Sequence, residues 1–427
     1  MKIAMFFLIV AIVIIVGTKL KLNTGVIAVF AAFVSGALLL GKDSYGIISG
    51  FPGALFFNMM NPMIFYGFAN SNGTMTRLAE HIMYRFRGAK KLMPIILFLT
   101  TEIISMLGAG TNANIIMTGV CFGVALQMGF NPILASMACW GGSIAGDMIF
   151  WSADCAFYKS FIEHYAGAEA AQAYVEHYFT VTNVFFWAVF LISYFALKGY
   201  KSSGSAVIKK PEKMNGSQKL TLIVILAVIA LVVLPAFIDI IAPNPVTTWL
   251  ITYVTIQPLC ACGTIVLAIA KADDLRKILN EQVAWGALLM IAGMAMLMGL
   301  CAELGVLDLV AQYLQTASVG VILAVVAAAA AILSLFMNGG TIVNLFYPLA
   351  ASVGAATGVP TYLILLACDN GMGASSFSPY STGGALSLTG CPDADLREKL
   401  TNKQFIWGIG IGIAWVVFCG VGLLKIF

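Results

Sequence analysis

Two short polar clusters interrupt long apolar stretches of the sequence in the same way. Residues 106–117 read MLGAGTNANIIM and residues 336–347 read FMNGGTIVNLFY, so a Gly-Thr-x-x-Asn pattern occurs twice. A helix that ends at such glycines leaves carbonyl oxygens free, and a helix that restarts at the threonine leaves N–H groups free. Carbonyl, Asn and Thr oxygens suit Na⁺ or a proton-bearing group, and the N–H end suits a carboxylate. The clusters therefore predict a paired ion and anion site, with two ordinary capped turns as the alternative.

Each cluster is followed by a second interruption that is rich in Gly, Ser and Asp. The first reads CWGGSIAGDMIFWSAD over 139–154, and the second reads CDNGMGASSFSPYSTGGALS over 368–387. A carboxylate is expensive in so apolar a setting and is therefore a candidate for function. Asp147 and Asp369 are predicted to bind the coupling cation or to carry its proton, unless they only cap the start of a half-helix.

Composition indicates the environment in which these clusters lie. Of the 427 residues, 60% are hydrophobic and 10% are charged, whereas a soluble domain has about 25% charged residues. Several runs without Asp, Glu, Lys or Arg exceed the roughly 20 residues that span a bilayer. The sequence therefore predicts an all-α polytopic membrane protein with the lipid bilayer as its surroundings. No P-loop, zinc signature or nucleophile elbow is present, so we expect no enzyme activity, no cofactor and no nucleic-acid partner.

The apolar spans form two similar series. The first half, 1–197, holds spans 3–18, 25–41, 54–70, 92–128, 132–151 and 181–197. A lysine-rich linker over 198–219 precedes the second half, 220–427, which holds spans 220–241, 247–270, 284–301, 319–357, 361–388 and 405–424. Five Gly, Thr, Asn and Pro positions recur in order at an offset of about 230 residues. This constant spacing predicts an internal repeat.

Loop charges predict the orientation of the two halves. Residues 77–91 contain five Arg or Lys and one Glu, and 198–219 contains six Lys, so both should be cytoplasmic. Residues 159–177 contain three Glu and one Lys, so this predicted acidic loop, like the N-terminus, should lie outside. The repeats are then inverted in topology, which is typical of secondary transporters with a site near the bilayer midplane.

Elements 92–128 and 319–357 are each nearly twice as long as a span, with the polar cluster near the middle. We favour two re-entrant hairpins, because irregular backbone survives at membrane depth only where protein or a water-filled cavity satisfies it. Two full spans apiece is the alternative. The predicted fold thus has about 10 transmembrane helices, hairpins over 92–128 and 319–357, and broken helices over 132–151 and 361–388.

These elements define the candidate site residues. The predicted substrate-binding residues are Thr111, Asn112, Asn114, Ser143, Thr341, Asn344, Ser375, Ser376, Ser378 and Thr382. The residues predicted to couple transport to a cation or proton are Asp147, Asp369, Asn370, Gly110 and Gly340. Na⁺ at the hairpin tips is the one metal ion that these groups suit.

The chain resembles the ion transporter superfamily, and within it the malonate/dicarboxylate carrier family, a relative of the divalent anion:sodium symporters. The resemblance rests on the paired tips, the inverted repeat and a Ser-Pro-x-Ser-Thr-x-Gly-Ala-Leu motif, which Ser378, Pro379, Ser381, Thr382, Gly384, Ala385 and Leu386 match. It implies a bacterial inner-membrane carrier for small organic anions, a homodimer that works as an elevator. The symporters have Ser-Asn-Thr at both tips where this chain has Gly-Thr-x-x-Asn, so the roles of the tip residues are implied by position.

The sequence therefore predicts a secondary active transporter of a C3–C4 dicarboxylate, coupled to Na⁺ or H⁺. No Lys or Arg lies inside an apolar run, so helix N-termini, amides and hydroxyls must hold the anion. The alternatives are a Na⁺/H⁺ antiporter or oxyanion exporter, the large membrane subunit of a binding-protein-dependent (TRAP-type) carboxylate transporter, and a non-transporting membrane scaffold or receptor.

Overall fold

All secondary structure in the described part of the chain is helical. The computed structural model describes residues 9, 12–13, 24–51, 53–201, 210–242, 244–283, 285–303, 317–335, 339–391 and 394–426. Its α-helices in chain order are α1 (Thr24–Leu40), α2 (Ser44–Ile48), α3 (Gly53–Ser71), α4 (Thr74–Arg85), α5 (Met93–Ile104), α6 (Asn112–Met128), α7 (Pro132–Asp147), α8 (Ala153–Ala196), α9 (Gly216–Ile241), α10 (Pro245–Tyr253), α11 (Ile256–Ile269), α12 (Leu275–Glu281), α13 (Trp285–Glu303), α14 (Val319–Ser334), α15 (Gly339–Thr357), α16 (Thr361–Ser375), α17 (Thr382–Leu388) and α18 (Ala394–Gly420). The predicted all-helical class is confirmed for these residues. Most of the predicted span 3–18 lies outside them.

Both long elements are divided where the polar clusters lie. In the first, α5 continues into a π-helical turn over Ser105–Ala109, and α6 begins three residues later at Asn112. In the second, α14 ends at Ser334 and α15 begins at Gly339. Gly108 (φ +106°) and Gly110 (φ +52°) explain the first division, because glycine lacks a Cβ and adopts conformations that end a helix.

The two following elements are divided as well. Helix α7 ends at Asp147, and the chain resumes as α8 at Ala153, where the Ser152 side chain accepts a hydrogen bond from the Cys155 N–H and caps the helix. Helix α16 ends at Ser375, and α17 begins at Thr382. These four divisions place polar backbone and side chains inside the helical bundle.

The acidic loop expected over 159–177 is wrong. This segment belongs to α8, which runs from Ala153 to Ala196 with a kink at Gly167. Its sequence is rich in Ala and Glu, which are strong helix formers, and its aromatic side chains pack inward. Tyr174, for example, is fully buried.

The span expected over 247–270 is divided into two helices. Helices α10 and α11 meet there at a bend of 69°. Pro258 lacks an N–H and would clash with the carbonyl of a preceding turn, so the chain starts a new helix in which this proline lies in the first turn.

The packing of α5 on α7 recurs in the packing of α14 on α16. The Ser105 hydroxyl donates to the Ser143 carbonyl at 2.7 Å, and the Ser334 hydroxyl donates to the Met372 carbonyl at 2.8 Å. Both partners are separated by 38 residues in the sequence. The same kind of hydrogen bond therefore joins the corresponding pair of helices within each half.

Most buried side chains form one large core, and a smaller core lies apart from it. The smaller core contains Ala28 and Ala32 of α1 and Leu297 and Leu300 of α13. In the described chain, three helices are long and apolar enough to cross a membrane: Lys90–Ala109, Asp154–Ala196 and Asp395–Gly420. The bent pair would be a fourth if it forms one span.

Candidate functional site

Two carboxylates converge on the tip of the first hairpin. Gly110 has φ +52°, which side chains rarely adopt, and a Cβ there would lie 2.5 Å from Asp154 Oδ2 and 3.0 Å from Asp147 Oδ1. Both oxygens therefore lie within 3.0 Å of one point. Asp147 Oδ1 is buried and has no hydrogen-bond partner among the described residues. The tip thus brings two carboxyl groups together beside the free end of a helix.

A polar cavity of about 300 Å³ opens at this tip. Thr111 and Asn112, both exposed, line it together with Asn70, Asp154 and Glu281. No Lys or Arg belongs to its described lining. The N-terminal turn of α6 faces a cavity that contains two carboxylates and no fixed cation.

Aromatic side chains hold the tip against its neighbours. The Tyr66 hydroxyl of α3 donates to the Trp151 carbonyl at 2.9 Å, and the Trp151 indole N–H donates to the Met106 carbonyl at 2.8 Å. The Ser152 hydroxyl donates to the Asp147 carbonyl. These bonds join the π-helical turn, the end of α7 and the start of α8, so the tip carbonyls are fixed in position.

The first half binds the second at its broken helix. The buried Asn114 amide donates from Nδ2 to the Gly383 carbonyl at 2.9 Å, while its Oδ1 has no described partner. One turn further along α6, the Thr118 hydroxyl donates to the Ser387 carbonyl at 2.8 Å. Predicted residue Asn114 therefore joins α6 to α17.

Helix α7 extends this contact, which we call the interlock and define as Asn114, Thr118, Ser136 and Trp140 against residues 376–387. Ser136 and Ser387 share a hydrogen bond between their hydroxyls at 2.7 Å, and the Trp140 indole N–H donates to the Ser376 hydroxyl at 2.9 Å. From α18, the Gln404 amide donates to the Gly384 carbonyl at 3.0 Å and to the Ser387 hydroxyl at 2.8 Å. Two buried acceptors of this arrangement, Asn114 Oδ1 and Gln404 Oε1, have no hydrogen-bond partner among the described residues.

The predicted serines and Thr382 occupy different surroundings. The Ser143 hydroxyl donates to the Trp140 carbonyl of its own helix at 2.8 Å, and the Ser378 hydroxyl donates to the Leu335 carbonyl at the end of α14 at 2.6 Å. Ser375 is buried against α18 beside Gly412. Thr382 is exposed at the start of α17.

At the second tip, the structure describes the backbone. Gly340, Thr341 and Asn344 belong to the first turns of α15. The side chains of Thr341 and Asn344 lie outside the described residues. Ser378 connects the second broken helix to Leu335 beside this tip, as Asn114 connects the first hairpin to α17.

Asp369 lies apart from the first tip, in a pocket of tyrosines. It is 1% exposed, and its Oδ2 accepts hydrogen bonds from the hydroxyls of Tyr174 and Tyr347, both at 2.6 Å. The neighbouring Asn370 accepts a hydrogen bond from the Thr182 hydroxyl at 2.9 Å and donates to the Leu366 carbonyl at 3.3 Å. Asn370 is therefore engaged by α8 and by its own helix, whereas Asp369 keeps one oxygen without a described partner.

Sequence reasoning did not select several residues of this arrangement. Tyr174, Tyr347, Trp140 and Gln404 are aromatic or amide side chains on ordinary apolar helices, and no local pattern marks them. Asp154 was visible as a carboxylate in the first interruption, and its nearness to Gly110 becomes apparent only in three dimensions.

Comparisons with known proteins agree with this description. Residues 1–147 match the family model described as dicarboxylate carrier protein MatC N-terminus. A crystal structure of the Alcanivorax borkumensis YdaH transporter has a similar fold, with a TM-score of 0.61 and 16% sequence identity over 91% of this chain and 88% of that one. No curated protein matches the chain. The family match supports the expected resemblance, and the structural likeness shows a shared fold.

Proposed function

We propose, from the match of residues 1–147 to a dicarboxylate carrier family model, that this chain is a secondary active transporter of C3–C4 dicarboxylates coupled to Na⁺ or H⁺. The matched family model and the structural neighbour are those of transporters, which supports a multi-pass membrane transporter rather than an enzyme. The substrate and the coupling ion are the parts that need experiment.

One observation carries the proposal: two broken helices from different halves meet at the interlock. The Asn114 amide and the Gly383 carbonyl lie 269 residues apart in sequence and 2.9 Å apart in space. Irregular backbone inside a membrane protein survives where it lines a cavity or is buried in protein, and such breaks form the substrate sites of many secondary transporters. We propose that Thr111, Asn112 and Asn114 bind the anion with Thr382, Ser376 and the second tip.

The charge of the cavity at the first tip supports coupling to a cation. Asp154 and Glu281 line this cavity, Asp147 lies beside it, and its described lining contains no Lys or Arg. A dicarboxylate that enters would meet like charges, which repel it strongly where the dielectric constant is low. A co-transported cation or a proton on these carboxylates removes this repulsion, so substrate binding and ion binding should depend on each other.

The architecture is proposed to contain two inverted repeats with re-entrant hairpins, and the matched Ser105 and Ser334 hydrogen bonds support a repeat. Helices α6 and α14, with 17 and 16 residues, are about 25 Å long, shorter than the hydrocarbon core of a bilayer. This length fits re-entrant segments for α6 and α14, whereas Lys90–Ala109 of the first long element is long enough to span. A homodimer in the bacterial inner membrane, moving as an elevator, remains part of the proposal.

Uptake by the purified chain tests the function. In proteoliposomes loaded with unlabelled succinate, we expect exchange for external labelled malonate or succinate, and no exchange for a monocarboxylate of similar size. Absence of exchange for every C3–C4 dicarboxylate would contradict the proposal. A requirement for a second membrane protein and a soluble binding protein would instead identify a TRAP-type subunit, and Na⁺/H⁺ exchange without carboxylate would identify an antiporter.

The site assignment predicts the effect of Asn114→Ala. The change leaves the buried Gly383 carbonyl without its amide partner, which costs about 1–3 kcal/mol, so exchange should fall about tenfold or more. Asn402→Ala makes the same chemical change at an exposed amide of α18 and should leave exchange within about twofold of wild type. Equal exchange rates for both variants would exclude the interlock from the transport site.

A further inference from the structure

Asp369 is a buried carboxylate held by helices from both halves of the chain. Its own helix is α16, Tyr174 belongs to α8 and Tyr347 belongs to α15. The hydroxyls of both tyrosines donate to one carboxylate oxygen, Oδ2, at 2.6 Å. The other oxygen, Oδ1, is buried without a hydrogen-bond partner among the described residues. One oxygen of the side chain therefore accepts two hydrogen bonds, and the other accepts none from the described residues.

The described residues around Asp369 supply no positive charge. Helix α8 presents Tyr158, Tyr174 and Tyr178, and α15 presents Tyr347. Cys368 precedes Asp369 on α16. Helix α14 has no titratable residue. Helix α18 contacts α16 through the Trp415 indole, which donates to the Ala367 carbonyl. Lys425 of the final 3₁₀ turn is exposed.

Burial of an uncompensated carboxylate costs far more than the two tyrosine hydrogen bonds return. A proton on Oδ1 cancels the charge and leaves both hydrogen bonds intact, because they go to Oδ2. A metal cation in the same place needs several oxygen ligands, and the described residues contain no group of three or more His, Cys, Asp or Glu that could hold one. The geometry favours a proton.

We infer that Asp369 is the proton-binding site of the transport cycle and that Tyr174 and Tyr347 are positioning residues for its carboxylate. Oδ1 takes up one proton on one side of the membrane and releases it on the other, so that the proton and the dicarboxylate move together. Because the tyrosines come from α8 and α15, a relative movement of these helices changes the number of hydrogen bonds to Oδ2 and thereby the affinity for the proton. The inference rests on the proposed function and commits it to H⁺.

Proton movement can be measured beside substrate movement. Wild-type protein in Na⁺-free proteoliposomes that contain a pH-sensitive dye should acidify the lumen when succinate enters, and an alkaline lumen should drive succinate accumulation. If exchange of labelled succinate proceeds but no acidification accompanies net entry, the proton inference is wrong and the proposed function stands. If wild-type protein exchanges no dicarboxylate at any pH, the proposed function itself fails.

The Asp369→Asn variant keeps the size of the side chain and cannot take up a proton. Its pH-driven accumulation should fall at least tenfold, and its succinate exchange, at whatever rate it retains, should no longer vary with pH. Glu102→Gln is the matched control. Glu102 lies in the first half and is likewise a buried carboxylate, which accepts a hydrogen bond from the Trp187 indole at 3.0 Å. It should keep the wild-type pH profile. Accumulation driven by pH in Asp369→Asn would overturn the inference.

Tyr174→Phe and Tyr347→Phe test the positioning role. They also test proton binding at Asp369 if Asp369→Asn does not fold. Each removes one donor to the ionised carboxylate, so the midpoint of the pH profile should move to more alkaline pH by about one unit. The double variant should shift it further. Tyr165→Phe, on the same helix but without a bond to Asp369, should leave the midpoint unchanged. Unshifted midpoints in both tyrosine variants would contradict the inference.

Discussion

At the scale of single residues, the backbone conformation of Gly110 and two neighbouring carboxyl groups together constrain the first tip. Gly110 adopts a positive φ and lies against the carboxylates of Asp154 and Asp147. Its missing side chain lets both oxygens approach the free end of α6. A ligand that neutralises these oxygens would stabilise the tip, whereas a methyl group there would separate them.

We predict that Gly110→Ala destabilises the protein. The left-handed conformation and a Cβ only 2.5 Å from Asp154 Oδ2 should cost about 1–3 kcal/mol or more, and the midpoint of thermal unfolding in detergent should fall by several degrees. Gly123→Ala is the control, because it lies within helix α6 and a Cβ there meets nothing within 4 Å. That variant should unfold at the wild-type temperature or above it. Equal losses in both variants would mean that the tip is not under this constraint.

At the scale of elements, the interlock holds helices from the two halves in one packing unit. Helices α6 and α7 contribute Asn114, Thr118, Ser136 and Trp140, and the second half contributes backbone carbonyls and hydroxyls from residues 376–387. Because most buried polar groups of the interlock are paired with each other, separation of α7 from α17 would leave them unsatisfied. The two helices should therefore keep their contact during transport.

A cross-link between α7 and α17 tests this expectation. The hydroxyls of Ser136 and Ser387 lie 2.7 Å apart, so the pair Ser136→Cys and Ser387→Cys, in a background without native cysteines, should form a disulfide on oxidation. We expect oxidised and reduced samples of this double variant to transport at the same rate. Loss of transport on oxidation that a reductant restores would show that α7 and α17 move apart. The single variants control for effects of oxidation elsewhere.

At the scale of the whole molecule, the segments expected in the cytoplasm contact each other. The Arg77 guanidinium of α4 lies 3.1 Å from the Glu212 carboxylate of the linker, and the Gln218 amide donates to the Asn72 carbonyl at 3.0 Å. Residues 77–91 and the described part of 198–219 therefore lie on one face. This agrees with the loop charges, which favour the cytoplasmic side.

The orientation can be read from the side on which cysteines react. Lys90→Cys and Lys213→Cys, both at exposed positions, should react with a membrane-impermeant maleimide in inside-out vesicles and not in intact cells. Glu169→Cys, exposed on α8 near the kink, should react in the opposite way. Reaction of Lys90→Cys and Lys213→Cys from different sides would contradict the shared face, and reaction of both from outside would reverse the proposed orientation.

The sequence by itself determined the membrane class, the helical elements and the positions of their interruptions. These follow from local causes: apolar length, and Gly, Pro and Asn residues that end or start helices within one turn. Its errors were local as well, since the Ala- and Glu-rich segment 159–177 was interpreted as a loop from its charge, although its helix propensity is high.

Only the tertiary structure decided which polar groups act together. Asn114 and Gly383 are 269 residues apart, and Tyr174 and Asp369 are 195 residues apart, yet each pair shares a hydrogen bond. No local pattern marks Tyr174 or Tyr347, because an aromatic residue on an apolar helix has the same sequence context whether it faces lipid or a buried carboxylate. The packing of α8 and α15 around α16 determines which tyrosines face Asp369, because it buries the carboxylate and places two hydroxyls within hydrogen-bond distance of one of its oxygens.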